Sequence, residues 1–167
     1  LVGEVRTEGA AAVVGPVGRA DGERIHAVRR RLDAGDPGLQ VQVVVVADRD
    51  RRKRVTVREE GQTAHTIFRR LQSFADFTLL EAELKTGRTH QIRVHTSHLG
   101  FPIAGDDKYG DFELNKRLMK QGLKRMFLHA AQLSFEHPIS GERMLIEAPL
   151  PAELATFLDT LNNAQAI

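Results

Sequence analysis

Apolar and polar positions along this chain follow two periods, and the switches between them outline the elements. Ala10 to Val17 is small and β-branched, broken by Gly15-Pro16, and predicts a short strand ending in a turn. Gln40 to Ala47 (QVQVVVVA) predicts a strand that is fully apolar in its second half. Between them, Asp21 to Asp36 is basic and polar, with room for a short helix to Leu32 before Gly35, Pro37 and Gly38 break the chain. Arg49 to Arg54 reads as a basic turn, Val55 to Arg58 as a strand, and Glu59-Glu60-Gly61 as a turn. Ala64 to Phe74 fits either period, although Thr66 and Ile67 favour a strand. Phe77 to Leu84 alternates, with Leu80, Ala82 and Leu84 on one side and Leu79, Glu81 and Glu83 on the other. An antiparallel pair is the preferred reading of these two stretches.

After Thr86-Gly87 the period lengthens. Ile92, His95 or Thr96, and Leu99 fall at helical spacing, with Thr89 near the start and Gly100 as a natural stop. Phe101 to Tyr109 is a loop around Pro102 and Gly105. Glu113 to Phe127 reads as a helix with Leu114, Leu118 and Met119 inward, weakened or ended by Gly122. Gln132 to His137 and Glu142 to Ala148 form a hairpin around Pro138-Ile139-Ser140-Gly141. Pro151 suits the first position of a last helix, whose apolar stripe is Leu154, Phe157, Leu158 and Leu161. The pattern predicts an α+β class with mainly antiparallel strands. Leu1 to Glu4 opens on an apolar pair and reads as a cut made inside a strand.

Composition changes this picture little, and charge changes it more. With 41% hydrophobic and 28% charged residues the chain has the balance of a soluble globular protein. It has no cysteine, which removes disulfides, thiolate metal sites and cysteine nucleophiles and suits a reducing, cytoplasmic setting. No apolar run approaches a membrane span, and the first residues are not a signal peptide. The net charge is only +2, but Arg49, Arg51, Arg52, Lys53 and Arg54 form one basic run. Lys116, Arg117, Lys120, Lys124 and Arg125 form another. Such clusters suit a polyanion such as RNA, or are solvated faces.

The candidate chemistry concentrates in Lys85 to Gly110, KTGRTHQIRVHTSHLGFPIAGDDKYG. His95 and His98, with His90 a turn before, have spacing that zinc could use, but no HExxH is present and hydrogen-bonded or surface histidines are the preferred reading. Thr86-Gly87-Arg88-Thr89 enters a helix, where free N–H groups favour an anion and Arg88 offers a forked donor; a plain surface arginine is the equal alternative. Arg93 is offset from the apolar line and could reach a carboxylate across a cleft, or lie in solvent. Asp106 and Asp107 could act as acid and base, although Asp-Asp after glycine more often caps a turn.

The stretch TGRTHQIRVHTSHLGFPIAGDDKYGD, Thr86 to Asp111, closely resembles the C-terminal signature of the RluA-type pseudouridine synthases, which isomerise uridine in RNA. GQTAHTIFRRL, from Gly61, and KRMFLHAAQLSFEHPISGERMLIEAPLP, from Lys124, resemble the flanking segments. DDKYGDFELNK followed by LKRMFLHA is especially similar to the type C enzymes of large-subunit ribosomal RNA, and LVGEV and GPVGR to the stretch after the family's catalytic strand. Ala20 to Asp48 is not covered and reads as an insertion at 20–48. The resemblance implies a mixed, mainly antiparallel sheet flanked by helices, a single domain spanning 1–167 that is the C-terminal part of a catalytic domain, with no metal and no organic cofactor, acting on RNA as a monomer. It implies that Arg93 pairs with a nucleophilic aspartate of an HRLDxxTSG motif upstream of Leu1, and that Arg88, Thr89, His90, Lys108 and His129 contact RNA. Arg31-Leu32-Asp33 copies part of that motif without its histidine or Thr-Ser and in the wrong place, so Asp33 is read as coincidence. The isolated fragment is then expected to be inactive. A non-catalytic RNA-binding module is the alternative.

Overall fold

A computed structural model describes residues 6–14, 39–47, 55–57 and 62–164. The described strands are β1 (Arg6–Val14), β2 (Leu39–Ala47), β3 (Val55–Val57), β4 (Gln62–Ser73), β5 (Thr78–Leu84), β6 (Leu128–Glu136) and β7 (Arg143–Glu147). The helices are α1 (Gln91–His98), α2 (Phe112–Lys120) and α3 (Ala152–Asn163). All seven strands join one sheet in the order β3-β2-β4-β5-β1-β6-β7. Each pairing between these strands is antiparallel, so the sheet is not mixed among the described residues. The chain meanders from β4 to β5, then leaves the sheet for α1 and α2 before returning as β6 beside β1.

Strand alternation decides which helix covers which face. Ala10, Ala12 and Val14 of β1 pack with Leu80 and Ala82 of β5 and Ile92 of α1. Val13 points the other way, to Leu118 of α2 and Leu154, Phe157 and Leu161 of α3. The central strands therefore bury both faces, and each large apolar side chain buried there contributes roughly 1.5–3 kcal/mol. The expected β5 faces hold: Leu80 and Ala82 are buried, while Leu79 and Glu81 are half-buried on the opposite side.

The predicted elements at 10–17, 40–47, 55–58, 64–74, 77–84, 132–137 and 142–148 correspond to strands, with ends shifted by a few residues. Leu39–Ala47 lies inside the stretch read as an insertion, yet it is a strand between β3 and β4. The short helix expected before Leu32 and the turns at 49–54 and 59–61 lie outside the described residues.

The helix read over Glu113 to Phe127, with Gly122 weakening or ending it, is ended: it spans Phe112–Lys120. Gly122 takes a left-handed φ of 102°, and Leu123 N–H closes the end by donating to Leu118 O. Phe127 lies in a bend before β6, donating to Ala104 O and accepting from Val13 N–H, with its ring buried beside Phe157. Met119, expected inward, is 59% exposed. Pro151 is the N-cap of α3 and not its first helical residue; the stripe Leu154, Phe157 and Leu161 is buried as predicted.

Candidate active site around Arg93

The site is built where α1 begins and where the loop after it folds back. Leaving β5, the chain is tied to β4 by Lys85 N–H donating to His65 O and by His65 N–H donating to Thr86 Oγ1. Gln91 then locks the turn. Its Oε1 accepts from Arg88 N–H at 3.0 Å and from the Thr86 hydroxyl at 2.7 Å, and its Nε2 donates to His65 O and Thr66 Oγ1, both at 2.9 Å. Gln91 and Thr66 are buried, and this network satisfies their polar atoms. The helix starts from His90, which sits in the left-handed region at φ 55°, ψ 22°. A non-glycine residue there stores strain of about 1–2 kcal/mol, so its surroundings must hold it. One holding contact is the 3.1 Å hydrogen bond between His90 Nδ1 and Tyr109 Oη, with the two rings edge to face.

Arg93 lies nearly one turn beyond His90. Its Nε donates to Asp106 Oδ2 at 2.8 Å and its Nη2 to Asp106 Oδ1 at 2.7 Å, a bidentate fork. The carboxylate is fully buried and the arginine side chain is 14% exposed. Asp106 Oδ1 also accepts from the N–H groups of Lys108 and Tyr109, each at 2.9 Å. Burial pushes the Asp106 pKa up. The Arg93 hydrogen bond and the two backbone donors outweigh it, and the carboxyl ends below its ordinary value. Arg93 shifts the other way, raised chiefly by its bond to Asp106. The guanidinium carbon stands 5.0 Å from the Tyr109 ring centre, a cation–π distance. Asp107 is 97% exposed and only 3.6 Å from Arg93 Nη2. Asp106 therefore serves as ion-pair partner and turn cap.

Asn115 of α2 clamps this loop from behind. Its side chain accepts from Gly105 N–H at 2.9 Å and donates to Asp106 O at 2.8 Å. Ser97 of α1 donates to Tyr109 O at 3.2 Å. Gly105 adopts φ +76°, and a Cβ there would lie 2.5 Å from the backbone oxygen of Arg125. Only glycine fits that crossing. Asn115, Gln91, Ser97 and Tyr109 escaped the sequence reading as site supports; the spacing of Gly105, Asp106 and Gly110 was the one local signal of a tight turn.

The expected RNA-contact residues divide between the two sides of the sheet. Arg88 and Thr89 are exposed at the entrance of α1, with Arg88 Nε 3.5 Å from Thr63 O. Lys108 Nζ is 5.7 Å from the Tyr109 ring centre. The His90 pKa is lowered by burial, then by the charges of Arg93 and Lys108, so the imidazole is neutral at pH 7. His90, Lys108 and Arg93 gather around Tyr109. His129 does not join them. It pairs with Ala11 across β1 and β6, beside the Ala12–Leu128 pair that faces α1, so it points to the other face. There its Nε2 lies 2.9 Å from Ala148 O.

His95 differs from the expectation of a surface or hydrogen-bonded histidine. It is fully buried, and neither ring nitrogen has a hydrogen-bond partner among the described residues. Burial, then the nearby His98 and His65, pull its pKa down to about 4. Among the described residues no cluster of three or more metal-ligating side chains is present, and no helix is long and apolar enough to cross a membrane.

The arrangement can hold a second anion at a fixed cation. Arg93 presents Nη1, which has no partner among the described residues, while Asp106 immobilises its other edge. The sequence pattern of RNA pseudouridylate synthase matches residues 11–98, more than half of the chain. The chain belongs to the RNA pseudouridylate synthase family. It is 50% identical over 113 residues to ribosomal large subunit pseudouridine synthase C of Salmonella typhimurium, covering 66% of this chain and 35% of that one. It is 43% identical over 135 residues to the uncharacterized RNA pseudouridine synthase YlyB of Bacillus subtilis, covering 81% and 42%. The chain thus spans 35–42% of these pseudouridine synthases. Its fold is similar to that of human RNA pseudouridylate synthase domain containing 1, with a TM-score of 0.66 at 21% identity, covering 97% of this chain and 66% of that one.

Proposed function

We propose that this chain is the C-terminal part of the catalytic domain of an RNA pseudouridine synthase that isomerises uridine in large-subunit ribosomal RNA. The carrying observation is the Arg93 guanidinium, gripped through Nε and Nη2 by the buried Asp106. Half identity to a large-subunit enzyme over 113 residues supports the RNA class.

The target uridine leaves the RNA stack to reach the site. A nucleophilic aspartate from a segment upstream of Leu1 approaches Arg93 at Nη1, and the cation keeps that carboxylate ionised. The bond from C1′ to N1 breaks, the base turns, and C5 bonds to C1′. The C5 proton leaves and N1 gains one, so the product is an isomer and atoms balance without a co-reactant. Arg88, Thr89, His90 and Lys108 share one side of the sheet and serve RNA contact; His129, on the other face, is left out of it. The working unit in this reading is a monomer, and its RNA substrate suits the cytoplasm. Asp33 has no part in this scheme.

The test is pseudouridine formation on large-subunit ribosomal RNA by the full-length protein. Arg93→Ala should lower kcat at least about 100-fold, and Arg93→Lys should not restore it, because lysine lacks the fork. Turnover by the 167 residues alone, abolished by Asp33→Asn, would overturn the upstream nucleophile. Salt-dependent RNA binding by the full-length protein without isomerisation would favour a binding module instead.

A further inference from the structure

Helix α2 carries an outer face that the site does not use. Leu118 is buried and Leu114 half-buried on its inner side. Phe112, Lys116, Met119 and Lys120 recur at helical spacing on the outer side, and all are exposed. Phe112 is 70% and Met119 59% accessible. Lys116 Nζ stands 4.5 Å from the centre of the Phe112 ring. From Phe112 to Arg125 the segment holds five Lys and Arg against one acid, Glu113, whereas the whole chain is nearly balanced at 24 to 22. Lys120 forms no ion pair among the described residues, and Lys116 has only the exposed Glu113 at 3.3 Å.

We infer that this stripe is an RNA-docking surface, on which Phe112 stacks an unpaired base and Lys116 and Lys120, one and two turns further along the helix, take successive phosphates of the same strand. Every base has a π-face and every nucleotide an anion, so an aromatic followed along one helix face by two lysines fits a single strand of any sequence. Position supports the same occupant. Gly110 and Asp111 alone separate the Asp106–Tyr109 loop from Phe112, and Asn115 of this helix holds Asp106 O. RNA that brings a uridine to Arg93 therefore runs its flanking nucleotides past α2. The inference rests on the RNA reading above and adds to it the surface that grips the strand beside the target.

The experiment is binding of the full-length protein to a large-subunit ribosomal RNA transcript, measured by fluorescence anisotropy over a range of salt. Lys116→Gln with Lys120→Gln should weaken binding about tenfold and lower the slope of log affinity against log salt by about 1.4. Phe112→Ala and Phe112→Leu should each weaken it about tenfold, while Phe112→Tyr, which keeps the π-face, retains it. All these side chains point outward, so unchanged urea midpoints are expected alongside. If the unaltered protein binds RNA and the double lysine variant keeps its salt slope, the α2 surface is overturned and the RNA reading stands. Full affinity in Phe112→Leu overturns the stacking role. An unaltered protein that neither binds nor isomerises RNA overturns both.

Discussion

Two arginine clusters on this fold resemble each other in sequence and differ in physics. Arg69 on β4 reaches Glu83 at 2.6 Å and Glu81 at 3.4 Å on β5, and Lys85 also pairs with Glu83. Arg69 and Glu81 are about two-fifths exposed, so water screens the network and competes for every donor. Arg93 and Asp106 make a comparable pair at 2.7 Å, but the carboxylate is fully buried and receives two backbone N–H groups as well. The first cluster is a cross-strand decoration of the register that pairs Arg69 with Glu81. The second fixes a loop, a helix start and a guanidinium edge at once. Charge counts do not distinguish them; desolvation and the number of donors per carboxylate do.

The contrast can be broken most severely at Asp106. Asp106→Ala leaves a nearly buried guanidinium and two N–H groups without their acceptor, and should destabilise the protein by about 3–5 kcal/mol in urea unfolding. Asp106→Asn should cost less, because one oxygen can still accept from Lys108 and Tyr109. Since the native pKa of Asp106 lies below its unfolded one, its contribution is complete above about pH 4 and is lost as pH falls through the native value.

His95 sharpens the comparison from the other side, as a buried ionisable group with no partner among the described residues. Its native pKa near 4 is below the ordinary 6.5, so the unfolded chain binds the extra proton between those values. Stability should be complete above pH 6.5 and fall by on the order of 3 kcal/mol as pH drops to about 4. Denaturation midpoints across that range, with His95→Phe as the variant, should show the slope removed.

Gly105→Ala is expected to cost about 2 kcal/mol by thermal or urea unfolding, through its positive φ and its contact with Arg125 O. The smallest effect should come from Arg69→Ala, at most about 1 kcal/mol and reduced further by salt. A loss there equal to that of Asp106→Ala would remove the distinction between the clusters.

What the sequence determined by itself is whatever depends on local period and local chemistry. The alternation of Leu80 and Ala82, the Pro138–Gly141 hairpin, the α3 stripe and the run from Thr86 to Asp111 were all legible, because each is a property of neighbours in the chain. Tertiary structure alone decided the partnerships. Arg93 meets Asp106 because the loop after α1 returns beneath its own helix and Asn115 holds it there. His95 is buried, His129 faces away from Tyr109, and Phe127 is bonded between Val13 and Ala104. The residues that make the site were visible in one stretch. Which carboxylate the arginine would hold depended on where the backbone came back, and no spacing along the chain encodes that distance.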